Sequence, residues 1–358
     1  MLVTTLPDAF TDPATEYEAL THATGIIDHA VTGVLRLRGQ DRVRFLNAMV
    51  TNDVAKLGPG RSCAALITTT KGKIIAELLV LARAGELVVL VLQGPVARVV
   101  EALESHIIAD DVELENASDN FAMIAVEGPK CRDLVWRIFP REPLPMEAFA
   151  FTENDYQGLR ATVIRHSVVG DKGLLMLVSH EHHERIKSYL VQGAVGLDGT
   201  EIGRAAWNTR RIEKGRPWFG IDVTEENFPA ECSLESHVNY EKGCYLGQET
   251  IARMHYRGHP NWKLVGLAGG AEVPAIGAAL FAGATASGAK ADEEMAAPNA
   301  TGRITSAVFS PALKRALCLG YVRATLAETG AEFSVREGGR TASLTVVELP
   351  LKGDPPHA

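Results

Sequence analysis

The order of predicted elements favours an α+β fold followed by a small all-β domain. Up to about residue 195, strands and helices alternate irregularly and strands occur in adjacent pairs, which is typical of split β-α-β units and not of a doubly wound parallel sheet. After Trp262, short β-like runs are separated by Gly, Ala and Pro, which predicts a barrel. We expect an α+β region of two subdomains at 1–258, a C-terminal β-barrel at 259–350 and a disordered tail at 351–358.

Residue periodicity predicts the individual elements. Alternating apolar and charged residues predict a strand at 34–38, and Asp41 is expected to cap the helix that follows. Val96, Val99 and Leu103 share one face of an amphipathic helix. The other expected strands are at 74–81, 86–92, 121–126, 161–168 and 174–179, with helices after Gly128-Pro129 and around Ile186–Leu190. The barrel strands are expected at 263–267, 302–309, 316–322 and 343–348, with a mobile loop at 282–300.

Composition excludes several classes of protein. Among the 358 residues, 46% are apolar and 22% are charged, as in ordinary globular proteins. The net charge of -8 argues against general nucleic-acid binding. No apolar run approaches the roughly 20 residues that span a bilayer, and the N-terminus does not resemble a signal peptide. Five cysteines without a C-x-x-C pair indicate free thiols in a reducing cytoplasm.

No standard metal or nucleotide motif stands out. The histidines at 180, 182 and 183 match no zinc spacing, and we interpret them as the start of a solvated helix, with no metal site. The chain contains no G-x-G-x-x-G, P-loop or Ser-His-Asp pattern, so nucleotide-phosphate and acyl-transfer chemistry are not supported.

The segment KGCYLGQETIAR, residues 242–253, is the strongest candidate for chemistry. Lys242 and a helix that begins nearby would both stabilise a thiolate at Cys244, which we expect to be reactive or to bind iron or sulfur transiently. A buried, inert thiol is the alternative. Gly243 and Gly247 are expected to permit tight backbone geometry beside a ligand.

The other residues of interest are less specific. Gln248 and Glu249 either line a site or cap the helix, and Arg253 and His255 either hold an anionic partner or face solvent. The remaining cysteines are expected to be structural at Cys63, Cys131 and Cys318 and ambiguous at Cys232.

Four segments together resemble a known family. KGCYLGQE resembles the signature of the YgfZ branch of the folate-binding family that also contains the glycine-cleavage aminomethyltransferase, or T-protein. The resemblance covers roughly residues 10–345 in one order. The other similar segments are DRVRFL at 41–46 with VTNDV at 50–54, TKGKII at 70–75, and RIEKGRP at 211–217 with GID at 220–222.

The resemblance implies a fold and a cofactor. It implies two ferredoxin-like α+β units and a β-barrel around a central cavity that holds tetrahydrofolate. In the matching T-protein segment a glutamate accepts the pterin, so Glu213 is the implied pterin ligand, because a carboxylate can take two adjacent N–H donors. Arg253, Gln248, Gly243 and Gly247 are the other implied folate contacts, with Arg253 on the glutamate tail. A solvated helix glutamate is the alternative for Glu213.

One departure from the T-protein pattern bears on catalysis. The T-protein carries paired aspartates where this chain has Ala76 and Glu77. One carboxylate is lost and the other is displaced by about one methylene, and small misplacements are costly in catalysis. Glu77 is a candidate catalytic residue, and a solvent-facing strand position is its alternative.

Three functions remain open at this point. The resemblance implies a tetrahydrofolate-binding protein that supports assembly or repair of iron–sulfur enzymes, with those client proteins as partners and Cys244 at the cavity rim. A folate-dependent aminomethyltransferase or demethylase is the alternative, and a non-catalytic folate sensor is the third. A link to tRNA modification and whether any turnover occurs are left open.

Overall fold

The computed structural model describes residues 6–28, 32–140, 142–170, 172–283, 300–337 and 340–351. These residues form two compact units. The first unit combines the residues up to Trp207 with Ser236–Thr250, and the second combines Asn208–Glu235 with the described residues from Ile251 onward. From the sequence, one domain boundary is predicted between residues 258 and 259, whereas each of these units combines separate stretches of the chain. The predicted boundary stays a prediction.

The structure contains the elements predicted above, together with several helices and strands that the sequence analysis did not predict. The helices are α1 (Pro13–His22), α2 (Arg42–Met49), α3 (Val96–Glu104), α4 (Cys131–Ile138), α5 (His180–Val195), α6 (Arg204–Glu213) and α7 (Gln248–Arg257). The strands are β1 (Gly25–Asp28), β2 (Gly33–Arg38), β3 (Ser62–Thr68), β4 (Ile74–Arg83), β5 (Glu86–Gln93), β6 (Glu113–Asn116), β7 (Phe121–Glu127), β8 (Phe151–Tyr156), β9 (Leu159–Ile164), β10 (Gly173–Ser179), β11 (Thr200–Glu201), β12 (Trp262–Ala268), β13 (Ala279–Ala282), β14 (Gly302–Ser310), β15 (Arg315–Arg323), β16 (Glu332–Glu337) and β17 (Arg340–Val347).

The first unit contains two mainly antiparallel sheets. One has the strand order β11-β1-β7-β10-β9-β8 and the other has the order β3-β4-β5-β2-β6. The β4–β5 hairpin is apolar on both faces, since nearly every residue from Ile74 to Leu92 that belongs to a strand is buried. Its core includes Phe45 and Leu46 of α2 and Val99 and Leu103 of α3. The five-stranded sheet is therefore held by helices of its own, and strand β4 carries Glu77.

The second unit contains a closed barrel with the strand order β12-β15-β14-β13-β16-β17. Leu267, Ile304, Cys318 and Phe333 belong to its buried apolar interior. The predicted α+β region followed by a β-barrel is confirmed at this level. Most of the predicted mobile loop (284–299) and of the predicted disordered tail (352–358) lies outside the described residues.

Two local predictions need correction. Asp41 does not cap α2, because its side chain accepts the backbone N–H of Asp111 at 2.9 Å and forms an ion pair with Arg44. His183 does not face solvent: it is buried in α5, with Nε2 2.7 Å from a carboxylate oxygen of Asp28. Within the described ranges, no helix has the length and apolar character needed to cross a bilayer.

Candidate functional site

Three of the similar segments meet in the first unit. These are the TNDV segment (Thr51–Val54), the KGK turn (Thr69–Lys73) and the thiol segment, defined as Lys242–Gly247. Thr51 of the TNDV segment is buried: its hydroxyl donates to the carbonyl of His237 at 2.7 Å and accepts the N–H of Leu66 at 2.9 Å. The N–H of Asn239 donates to the carbonyl of Thr51 at 3.0 Å. The TNDV segment thus ties residues 237–239 to strand β3.

Lys242 anchors the thiol segment. Its side chain is buried, and its ammonium donates to the carbonyl oxygens of Asn47 (2.6 Å), Val50 (2.8 Å) and Asn52 (2.7 Å). These carbonyls lie at and just beyond the C-terminal end of α2, where the helix dipole favours a cation. Burial lowers the pKa of Lys242 to about 8, against an opposing effect of Asp53, so the ammonium is largely charged at neutral pH.

This arrangement corrects the catalytic role predicted for Lys242. An ammonium has three N–H donors, and here three backbone carbonyls accept them. The side chain therefore fixes the start of the thiol segment on α2 and has no donor left to stabilise a thiolate at Cys244. Lys242 is a structural residue of the site.

The two glycines of the segment differ. Gly247 has φ +81°, and a Cβ there would lie 2.5 Å from the carbonyl oxygen of Thr69 and 2.8 Å from Cα of Gly72. The Thr68 hydroxyl also donates to the carbonyl of Leu246 at 2.8 Å, so the segment packs directly on the KGK turn. At Gly243 a Cβ would meet no atom within 4 Å. The structure therefore explains a glycine at 247, and the tight geometry expected at 243 is absent.

Cys244 is the one exposed thiol of the five. Cys131, Cys232 and Cys318 are buried and Cys63 is half-buried. Burial raises the pKa of Cys63, Cys232 and Cys318 to about 12 and that of Cys131 to about 11. Because the thiolate is the reactive form, accessible thiol chemistry in this chain is confined to Cys244.

Glu77 forms a pair that the sequence did not reveal. It lies on β4 at a bulge opposite β5 and is only 4% exposed, so the solvent-facing interpretation was wrong. One of its carboxylate oxygens is 3.1 Å from Nε2 of His237, which is also buried. The preceding residue, Ala76, is fully buried in the apolar core of the sheet. Strand alternation thus places Glu77 and Ala76 on opposite faces, and only Glu77 reaches the histidine.

The second unit contains Glu213. It ends α6 and is fully buried: Oε1 accepts the Ser310 hydroxyl at 2.6 Å, and Oε2 is 3.3 Å from Nη1 of Arg210. The alternative of a solvated helix glutamate was wrong. The carboxylate has the acceptor character that a pterin requires, but in this conformation protein groups cover it.

Arg211 and Asp222, in the same stretch of chain as Glu213, form a second buried network. Arg211, fully buried, donates to Asp222 at 2.7 Å and to the Ser306 hydroxyl at 2.8 Å. Asp222 also accepts the hydroxyls of Thr305 (2.6 Å) and Ser306 (2.7 Å) on β14. Arg211 and Asp222 therefore attach the segment 208–222 to the barrel, and neither carries chemistry of its own.

The remaining candidates lie on α7. Gln248 is half-buried at its first position, where its N–H donates to the carbonyl of Tyr245 at 3.2 Å. Glu249, Arg253 and His255 are exposed. Their predicted contacts with a ligand stay predictions. Among the described residues, no cluster of three or more His, Cys, Asp or Glu side chains is arranged to hold a metal ion.

Replacing the anchoring lysine tests its structural role. Lys242→Met keeps the aliphatic stem but leaves three carbonyls without their charged donor. We expect the free energy of unfolding to fall by about 2 kcal/mol or more, since an unsatisfied buried polar group costs about 1–3 kcal/mol. Urea unfolding measures it, with the exposed Lys56→Met as the matched control. Equal stability of the two variants would show that the three bonds contribute nothing.

Comparisons with known proteins agree with this architecture. The model of the GCVT N-terminal domain matches residues 5–242, and that of the glycine cleavage T-protein C-terminal barrel domain matches residues 263–352. Similar proteins include two named aminomethyltransferase. That of Chloroherpeton thalassium is 25% identical over 341 residues, covering 94% of this chain and 89% of the relative. That of Geobacillus kaustophilus is 26% identical over 349 residues, covering 97% and 92%.

A solved structure has the same fold. It is the glycine cleavage system aminomethyltransferase T from Bartonella henselae, with a TM-score of 0.83 and 19% identity, covering 97% of this chain and 91% of that one. The two family models together match nearly the whole chain. The first ends before α7 and the second begins after it. This chain belongs to the glycine-cleavage T-protein family.

Proposed function

We propose that this protein binds tetrahydrofolate and catalyses a folate-dependent one-carbon transfer of the aminomethyltransferase type. The observation that carries the proposal is Glu77: a buried carboxylate, paired with His237, at the position where the T-protein sequence has its acidic pair. Family membership along both halves of the chain and relatives named aminomethyltransferase support it. Of the functions considered from the sequence, this alternative has the better support.

The proposal includes a domain arrangement. The α+β region, 1–258, folds as two ferredoxin-like units, followed by the barrel at 259–350. In support, each sheet of the first unit has at least two helices against it. α2 and α3 contact β5 and β4, α4 and α5 contact β7 and β10, and α1 contacts β1 and β11.

Glu213 fits tetrahydrofolate in its chemistry. A carboxylate is an acceptor that can take a planar pair of N–H donors, which is what a pterin ring presents. The complete burial of Glu213 means that the side chains covering it, Ser310 among them, must move when pterin binds. Arg253 is exposed and available to the anionic tail of the folate.

We assign proton transfer and charge stabilisation to side chains of this protein. Bound tetrahydrofolate supplies the nitrogen nucleophile that takes up the one-carbon unit. Glu77 acts on the same step as a carboxylate that accepts a proton or stabilises a nearby cation. Its neighbour His237 holds one oxygen, which fixes the direction of the carboxylate. With Ala76 in the apolar core, the second acid of the T-protein pattern has no counterpart, and we expect slower turnover than in a protein with both.

Removing the charge of Glu77 tests the activity. Formation of methylenetetrahydrofolate from an aminomethyl donor should fall by about 10²–10⁴-fold in Glu77→Gln, the usual contribution of an acid–base group. The exposed Glu104→Gln, in the same unit, should leave the rate unchanged. A wild-type rate equal to the protein-free background would refute the proposed activity.

Equilibrium binding tests the folate ligand. Glu213→Gln presents an amide donor where the pterin needs an acceptor, so tetrahydrofolate affinity should fall by about 2–3 kcal/mol. Ser310→Ala removes a covering hydroxyl but keeps the carboxylate, and its affinity should stay at or above that of the wild type. Thermal melts of each variant exclude unfolding as the cause. Unchanged affinity in folded Glu213→Gln would assign the carboxylate a purely structural role.

A second function has an observation in its favour. The thiol segment, which resembles the YgfZ signature, presents Cys244 to solvent while its ends are fixed by Lys242 and Gly247. A rigidly presented soft thiolate suits iron or sulfur, although a single cysteine can hold a cluster only transiently or as a bridge. This supports a role of the YgfZ type, in which the protein assists assembly or repair of iron–sulfur client enzymes.

The role of the exposed thiol of Cys244 can be tested by comparison with the less exposed thiol of Cys63. In cells under oxidative stress, we expect Cys244→Ser to lose protection of iron–sulfur enzyme activity, because the reactive sulfur is gone. Cys63→Ser should retain protection, since burial raises the pKa of that thiol to about 12. Full protection by Cys244→Ser would refute a role for the sulfur, whatever the result for folate.

A further inference from the structure

We propose that His237 and Ser236 form a proton path between the buried carboxyl of Glu77 and solvent. The inference rests on the proposed function, which makes Glu77 an acid–base group. It assigns a role to Ser236 and His237, which precede the thiol segment in the chain. The sequence did not single out either residue. Both are positioning and relay residues, because they act through Glu77.

Three side chains lie in a hydrogen-bonded row. Oε1 of Glu77 is 3.1 Å from Nε2 of His237, and Nδ1 of the same ring is 3.2 Å from the hydroxyl oxygen of Ser236. Exposure increases along the row: Glu77 is 4% exposed, His237 is 9% exposed, and Ser236 is an exposed residue. The row therefore leads from the interior of the first unit to its surface.

A buried acid–base group needs such a route. Each catalytic cycle leaves Glu77 with one proton too many or too few, and direct exchange with water is restricted by its burial. Imidazole suits the intermediate position because its two nitrogens can accept at one side and donate at the other. The Ser236 hydroxyl has the same double capacity and adds the contact with water.

The transfer conserves atoms and charge. The carboxylic proton of Glu77 passes to Nε2 of His237, while the Nδ1 proton of the ring passes to Ser236 and the hydroxyl proton of Ser236 passes to water. One O–H bond is broken at Glu77 and one is formed in solvent, so the carboxylate is regenerated and the proton reaches bulk water. A flip of the His237 ring about its Cβ–Cγ bond, which brings the new N–H back to the Ser236 side, and rotation of the hydroxyl reset the row.

The structure holds the backbone of His237 in place beside Glu77. The carbonyl of His237 accepts the Thr51 hydroxyl at 2.7 Å, and Asn239, two residues later, donates its N–H to the carbonyl of Thr51 at 3.0 Å. The backbone on both sides of the histidine is therefore tied to the TNDV segment. Lys242 fixes the chain a few residues further on.

The chain offers a matched control. Ser105 and His106 make the same contact between adjacent residues, with the Ser105 hydroxyl 3.1 Å from Nδ1 of His106. Both are exposed and lie in the same unit, and Nδ1 of His106 also faces the carbonyl of Ala102 at 2.8 Å. This pair has the local geometry but is far more accessible to water. Ser105→Ala should therefore change nothing.

Two variants test the path through turnover. Ser236→Ala keeps the contact of His237 with Glu77 and removes the exit, so in weakly buffered solution the rate should fall about tenfold. Added imidazole, a small proton carrier, should restore it. His237→Gln can still donate to Glu77 but cannot carry a proton, and it should lose more activity than Ser236→Ala. A rate unchanged in Ser236→Ala, or a loss that imidazole does not restore, would overturn the path.

A second measurement does not depend on turnover. With ¹⁵N-labelled histidine, exchange of the His237 ring N–H with water should slow about tenfold in Ser236→Ala and stay unchanged in Ser105→Ala. If the wild type shows no folate-dependent activity, the proposed function fails, and this exchange rate alone decides about the path. Equal exchange in the wild type and Ser236→Ala would overturn the inference even if the enzyme is active.

Discussion

The candidate site depends on one buried ammonium. Lys242 binds three carbonyls at the end of α2, where orphan acceptors and the helix dipole together favour a cation. Those carbonyls belong to residues at or next to the TNDV segment, which in turn holds His237 through Thr51. Lys242 thus fixes the start of the segment that carries the exposed thiol, and the neighbouring Thr51 fixes the backbone of His237, which contacts Glu77.

Glu77, Glu213 and Asp222 are all buried carboxylates, but their neighbouring groups suit them to different roles. One carboxylate oxygen of Glu77 contacts His237, and His237 contacts the exposed Ser236. This environment is suited to proton transfer. Glu213 is covered by a hydroxyl and a guanidinium, an environment suited to recognition once it is opened. Asp222 accepts hydrogen bonds from Arg211, Trp218, Thr305 and Ser306, an environment that attaches segment 208–222 to the barrel.

The two chemistries proposed for this chain are compatible in space. The proposed folate-dependent transfer would use Glu77, and the proposed thiol chemistry would use Cys244. Both lie in the first unit, on segments joined by the same anchor residues. The thiol segment packs against the KGK turn at Gly247, where the backbone has φ +81° and only a glycine fits. The thiol segment and the strand that bears Glu77 are therefore mutually positioned without a ligand.

Much of the architecture was readable from local pattern. The hairpin β4–β5, helix α2 and the strands of the barrel follow from apolar periodicity, because side-chain alternation depends on neighbours along the chain. The motif residues Glu213 and Cys244 were also found, since their segments are short and specific. Asp41 was misassigned because a residue 70 positions away, Asp111, competes for its side chain.

The sequence by itself determined the α+β region followed by a β-barrel, many of the helices and strands, and the candidate residues Glu77, Glu213 and Cys244. The tertiary structure decided what those residues contact: that Lys242 binds carbonyls and not a thiolate, that Glu77 meets His237, and that Ala76 faces the core. Hydrogen bonds between segments more than a hundred residues apart leave no periodic trace in the sequence, because they require distance and direction that only the folded chain supplies.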